Sequence, residues 1–216
     1  MPLLKHEIPA HFHAHRADDI FTAIRLAKEF DIDYVIIHAT EGHLIADELL
    51  EDNARTIVGP VISERCKPEL RNHTIETAGI LNKAGVPMCI CTDHPVVPEQ
   101  YLPLSAGLAV RGGLDRNEAL KAITIYPAQI TGIADRVGSI EVGKDADIVI
   151  YNPTKDFTIT NDKMHSDCDH TIWEGIKVKG YPEATYSRGK LVFKDGEFLG
   201  ERGWGKFIKR SSSGNL

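Results

Sequence analysis

Three residues have types and positions suited to holding a metal ion: His13, His38 and Asp93. Each follows a short apolar run. His13 ends the first such run, His38 follows Tyr34-Val35-Ile36-Ile37, and Asp93 follows Val86 to Cys91 and Thr92. Imidazole nitrogens and a carboxylate oxygen are donors that Zn2+ accepts, and three protein ligands leave a position open for water. Such an ion lowers the pKa of its water towards ~7, and a nearby carboxylate can take the proton. A lone histidine ending a strand is more often a hydrogen-bonded polar residue than a ligand. The spacing argues for more here: His38 comes 25 positions after His13, and Asp93 comes 55 after His38. Those gaps match one and two strand–helix units.

Other candidates surround this trio. His11, His13 and His15 alternate, which puts them on one face of a strand. His15 has two readings, as lining of a substrate pocket or as a ligand in place of His13. His11 reads better as a paired residue deeper in the core. His94 either orients Asp93 or points away. Arg16, Arg65 and Lys67 could hold a substrate carboxylate or carbonyl, although solvated charge is the commoner fate. Cys89 and Cys91 share a face with Asp93 and read as small core residues. His43 and His73 are expected on the surface.

The elements that position these residues follow from periodicity. Ala17 to Phe30 predicts a helix, with Ile20, Ile24 and Ala27 on one stripe and Asp18 and Asp19 in its first turn. Tyr34 to Ile37 predicts a buried strand, Leu44 to Asn53 a helix, and Thr56 to Val58 a strand. Thr74 to Ala84 predicts a helix stopped by Gly85, and Val86 to Cys91 another strand. A helix lies within Leu102 to Gly112, and Asp115 with Glu118 reads as a capping box opening the next. Alternating strands and helices predict a parallel α/β arrangement. Four such strands amount to half of an eight-stranded β/α barrel, whose active sites sit at the C-terminal strand ends. Past residue 135 the texture becomes turn-rich and strand-like, including Ile148 to Tyr151 and a run from Thr185 to Phe193 before an Asp195-Gly196 turn. The expected organisation is α/β: a half β/α barrel over 1–135, a small β-sandwich segment over 136–200, and a tail over 201–216.

Bulk properties narrow the function classes. The chain has 216 residues, 42% hydrophobic and 26% charged, with a formal net charge of -6. That balance argues against a nucleic-acid partner, which needs basic surface. No apolar run reaches the ~20 residues of a membrane span. Cys66, Cys89, Cys91 and Cys168 do not form a disulfide framework, so the expected compartment is the reducing cytoplasm.

The motifs Phe12-His13-Ala14-His15-Arg16-Ala17-Asp18-Asp19, His38-Ala39-Thr40-Glu41-Gly42, Lys67-Pro68-Glu69-Leu70-Arg71 and Thr92-Asp93-His94-Pro95 resemble the amidohydrolase superfamily, in particular its imidazolonepropionase-like branch. Gly138 to Asp147 is similar to the segment where the barrel closes and the β-sandwich begins. The resemblance covers about residues 7 to 151. From Phe157 onwards the chain instead resembles the ends of dihydropyrimidinases and hydantoinases, which implies packing between subunits.

The resemblance implies hydrolysis of C–N bonds in amides or cyclic amides by metal-activated water. It implies that His13, His38 and Asp93 are the ligands of the fifth, sixth and eighth barrel strands, and that Asp93 also moves the proton. It implies a divalent metal, Zn with Fe or Mn as alternatives. Beside that set, His15, Arg16 and His94 are the residues expected to contact the substrate. Relatives also carry a His-x-His pair on the first strand and often a lysine or glutamate on the fourth, expected upstream of Met1. The expected partner is therefore a homo-oligomer or a complementing N-terminal half, with a non-catalytic assembly piece as the alternative reading.

Overall fold

The computed structural model describes residues 1–145, 147–164 and 168–205. The chain divides into two units, the first comprising Met1–Ser139 and the second beginning at Ile140.

The first unit is a four-stranded parallel sheet in the order of the sequence: β1 (Ala10–Ala14), β2 (Tyr34–His38), β3 (Arg55–Val58) and β4 (Met88–Ile90). Helices α1 (Ala17–Glu29), α2 (Ala46–Glu51) and α3 (Thr77–Ala84) follow the first three strands, and α4 (Leu102–Arg111), α5 (Arg116–Lys121) and α6 (Ile125–Ile130) follow the fourth. Helix α1 forms as its periodicity predicts: Ile20, Ala23, Ile24 and Ala27 are its buried residues. They join Ile36, Val58, Met88 and Ile90 of the sheet in the main apolar core. A second cluster on alternate strand positions unites Val35 and Cys89 with Ile130, flanked by Ile37 and Ile57. Strand alternation thus gives the sheet two apolar faces, as parallel strands require.

The ends of several elements differ from expectation for local reasons. The helix expected from Leu44 is a 3-10 turn over Gly42–Leu44 followed by α2 from Ala46. The helix expected from Thr74 starts at Thr77, because the Thr74 hydroxyl accepts from the Glu76 amide and holds a turn instead. Gly85, at φ 89°, ends it as expected. The strand expected from Val86 starts at Met88, since the Val86 amide is spent on the Leu81 carbonyl and Pro87 has no N–H. Asp115 caps α5, its carboxylate accepting from the Asn117 and Glu118 amides. The reciprocal half of the box is replaced: the Glu118 carboxylate accepts from Asn82, Lys121 and Tyr126.

The second unit holds one antiparallel sheet: β5 (Ile148–Thr158), β6 (Lys177–Ser187), β7 (Lys190–Lys194) and β8 (Glu197–Phe198). The run from Thr185 to Phe193 forms a hairpin of β6 and β7. Its turn residues Arg188 and Gly189 have φ of 47° and 75°, the left-handed pair a two-residue hairpin loop needs. Asp195 and Gly196 repeat the arrangement at φ 51° and 96°. Among the described residues the expected sandwich is represented by this single sheet, and no helix is long and apolar enough to cross a membrane.

Candidate functional site

The C-terminal ends of β1 and β2 bring three imidazoles together. His13 lies within β1, His15 just beyond its end, and His38 is the last residue of β2. One ligand atom from each of the three lies within 4.8 Å of the other two. Ring centroids are 4.4 Å apart for His13 and His38, 4.9 Å for His13 and His15, and 4.5 Å for His15 and His38. His13 is exposed, whereas His15 and His38 are buried.

Backbone conformation makes the convergence possible. His38 pairs in register with Ala14 and Val58, both of which belong to the helix-packed core. Regular alternation would keep His38 on that face, opposite His13. Instead its φ is 77° and that of Ala39 is 43°. This left-handed turn is costly for residues with a Cβ and tends to occur where function needs it. It ends the extended strand with the His38 ring against that of His13.

Hydrogen bonds fix the rings. The His38 Nδ1–H donates to the Gly59 carbonyl at 2.6 Å. A carbonyl can only accept, so Nδ1 carries the proton and the Nε2 lone pair is free. The His15 Nδ1 shares a hydrogen bond of 2.8 Å with the Thr40 hydroxyl. Burial lowers the His15 pKa to about 4, with the His38 and His13 rings adding to the effect. Burial also lowers that of His38. Both rings are therefore neutral at neutral pH, the state in which imidazole binds a metal.

The loops are held by Glu41, a buried carboxylate whose role the sequence did not reveal. Its Oε2 accepts from the Ala17 amide at the start of α1, and its Oε1 accepts from the Asn72 side chain, each at 2.8 Å. Its own amide donates to the His15 carbonyl at 2.8 Å. This single residue in the loop after β2 thus braces the segments following β1 and β3, and caps a helix whose own cap residue, Arg16, makes no side-chain cap bond.

Asp93 lines a cavity of about 160 Å³ together with His13, His15, His38, Lys67 and His73. Its φ of 56° is again left-handed. Of the expected ligand trio, the structure groups His13 and His38 closely and adds His15, with Asp93 on the same cavity outside that group. Arg16 is exposed and paired with Asp18 through two 2.8 Å hydrogen bonds, on an adjoining cleft that also includes His13 and His15. His94 is exposed, its Nδ1 accepting from the Glu99 amide at 3.4 Å. His73, expected on the surface, lines the cavity with its Nε2 3.1 Å from the Pro60 carbonyl. His43, also expected there, is half-buried against Thr40 and Thr77. Burial pushes the Cys89 and Cys91 thiols up to about 12 and 11, which marks them as core residues rather than thiolate ligands.

The sequence profile of the amidohydrolase family matches residues 5–192. The chain belongs to the amidohydrolase family. Among its relatives in this family, a D-hydantoinase of Ralstonia pickettii is 34% identical over 116 residues, 54% of this chain and 25% of that protein. Dihydropyrimidinase 1 of Caenorhabditis elegans is 47% identical over 81 residues, 38% of this chain and 17% of that protein. The crystal structure of an amidohydrolase from Thermotoga maritima superposes with a TM-score of 0.73 at 39% identity, covering 89% of this chain and 45% of that one. A D-hydantoinase structure shares the fold, with a TM-score of 0.64 at 23% identity over 92% of this chain and 53% of that one. The chain spans about a quarter or less of these curated relatives, and about half of these solved structures.

Proposed function

We propose that this chain contributes one wall of a metal-dependent active site that hydrolyses C–N bonds of amides or cyclic amides. The observation that carries this reading is the group of three imidazoles that line one cavity with Asp93 at the C-terminal strand ends. Members of the family generally use divalent metals, and the donor set fits one: uncharged nitrogen ligands suit Zn2+, with Fe2+ and Mn2+ as alternatives. When bound, such an ion supplies Lewis acidity, polarising an amide carbonyl and acidifying a water.

The chain's own residues have separate tasks in this reading. His13 and His38 are ligands, and the Gly59 carbonyl keeps the His38 lone pair aimed away from β3. Asp93 takes a proton from the attacking water on a carboxylate oxygen and returns it to the leaving nitrogen, as general base and then general acid. Lys67, on the same cavity, holds a carbonyl or carboxylate of the substrate. The hydantoinase and dihydropyrimidinase relatives support a cyclic amide as substrate. The motifs around His13, His38 and Asp93 support placement in the imidazolonepropionase-like branch.

The parallel sheet is read as the second half of a β/α barrel. Its β1 edge pairs with a strand from another copy or from a complementing segment, since an open edge seeks a partner, whereas on the β4 edge the Ile90 amide already donates to the Ala122 carbonyl at 2.9 Å. The test is hydrolysis of cyclic amides by metal-loaded protein, with and without Asp93→Asn. Loss of turnover in the variant supports the assignment. Turnover that survives the change would remove Asp93 from the mechanism.

A further inference from the structure

We propose that His73 is a specificity-determining residue of this cavity, its Nδ1 accepting a hydrogen bond from a ring N–H of the bound amide. The proposal rests on the reading of the cavity as the substrate site of an amide hydrolase. It goes beyond that reading by giving a task to a side chain that neither the proposed metal ligands nor the proton transfer uses.

The way His73 is held carries the assignment. It lies in the connection between β3 and α3, is half-buried, and lines the same cavity as Asp93 and Lys67. Its main chain is pinned on both sides: the amide donates to the Leu70 carbonyl at 2.9 Å, and the carbonyl accepts from the Arg65 guanidinium at 3.0 Å. Its ring is pinned by the Pro60 carbonyl, 3.1 Å from Nε2. A carbonyl can only accept, so in the uncharged ring the proton sits on Nε2 and Nδ1 is an acceptor. Among the described residues, Nδ1 has no hydrogen-bond partner. The ring is thus fixed before any ligand arrives, and an acceptor held in place loses little freedom on binding.

The neighbouring chemistry selects the group that His73 meets. The Lys67 ammonium on the same cavity only donates, whereas His73 Nδ1 accepts. A small ring holds its amide cis, so C=O and N–H emerge along one edge. A donor and an acceptor lining one cavity complement such an edge. A lactone offers the C=O without the N–H, and a site that expects a donor discriminates against a ligand that lacks one. The cavity, about 160 Å³, is smaller than the roughly 300–1,000 Å³ of sites for drug-sized molecules, which favours a single small ring.

The deciding experiment uses the zinc-loaded, full-length chain with hydantoin and 1,3-dimethylhydantoin as probes, at pH 8, above the ~6.5 of a free imidazole. Two variants separate recognition from bracing. His73→Asn places an amide oxygen near the Nδ1 position and gives up the bond to Pro60. His73→Gln places an amide N–H near the Nε2 position and gives up the acceptor. His73→Gln is expected to raise KM for hydantoin about tenfold with kcat nearly unchanged, and His73→Asn to raise it less. The opposite order, or equal KM in all three proteins, would overturn the proposal, because a merely structural histidine needs the Pro60 bond and not the other nitrogen. A second readout does not depend on turnover. In protein labelled with 15N-histidine, the His73 Nδ1 resonance, identified by its absence from His73→Gln, is expected to move upfield with hydantoin and to stay in place with the dimethylated ring. No movement with hydantoin would overturn the proposal whether or not hydrolysis occurs, and hydrolysis without movement would leave the hydrolase reading standing. Movement without hydrolysis would sink the hydrolase reading and leave the recognition site.

Discussion

The imidazoles of His15 and His38 lie face to face, 4.5 Å between centroids and 13° from parallel. Two protonated rings would repel at that distance, and both are buried. The pair is therefore built for the uncharged state, and its response to acid can be predicted.

In metal-free protein, stability is expected to fall as pH drops from about 6.5 towards 4. The native His15 pKa is about 4, while the unfolded chain titrates near ~6.5. Between those values the unfolded state binds a proton that the native state does not, so stability rises with pH across the window. Below about 4 both states are protonated and the loss is complete; above about 6.5 both are neutral and His15 adds no pH dependence. His38, also lowered by burial, acts in the same direction. Urea midpoints measured from pH 4 to 7 should show a shallower slope in His15→Gln than in wild type. Equal slopes would show that His15 does not titrate as described.

Gly59→Ala should damage both sheet and site. Gly59 has φ 141°, and a Cβ there would lie 2.2 Å from the Cys91 carbonyl oxygen. Backbone atoms cannot yield as a side-chain tip can, so a loss of about 1–3 kcal/mol is expected. Because Gly59 also holds His38, metal affinity should fall by about 10–100-fold. Thermal melting and Co2+ titration of the variant check the two effects separately.

Glu41→Ala should cost about 1–2 kcal/mol, since it removes the cap of α1 and leaves the Ala17 amide and Asn72 without their acceptor. Glu41→Gln keeps one acceptor oxygen and should lose less. Denaturant unfolding of the two variants gives the order; an equal or larger loss in Gln would mean that charge, not hydrogen bonding, braces the loops.

Alkylation should separate the cysteines. Cys66 and Cys168 are exposed, whereas Cys89 and Cys91 sit at about 12 and 11 through burial. Iodoacetamide at pH 8 should label the first two in native protein and reach the others only after unfolding, as read by peptide mass spectrometry. Rapid native labelling of Cys91 would show that the end of β4 opens to solvent.

Much of this architecture was legible in the sequence because it is written in short-range patterns. The apolar runs ending at His38 and before Asp93 mark strand ends, and the stripe from Ile20 to Ala27 marks the face of α1 that meets them. What escaped reading depends on contacts or on backbone angles. Alternation placed His15 on the same strand face as His13, but β1 stops at Ala14 and His15 enters the loop, where Thr40 captures it. Glu41 looks like a surface carboxylate until the fold brings Ala17 and Asn72 to it. His73 reaches the cavity by a turn that no periodicity encodes.

The carbonyl of Gly59 has a further consequence. Strand β3 carries none of the proposed reacting groups, yet it lies between the strand that ends in His38 and the strand that leads to Asp93. Its end grips the imidazole on one side and abuts the Cys91 carbonyl on the other. The strand that ends in His38 and the strand that leads to Asp93 are thereby held two inter-strand steps apart, about 10 Å of backbone. Loops beyond the strand ends can change length or sequence and redraw which molecule fits without altering that spacing.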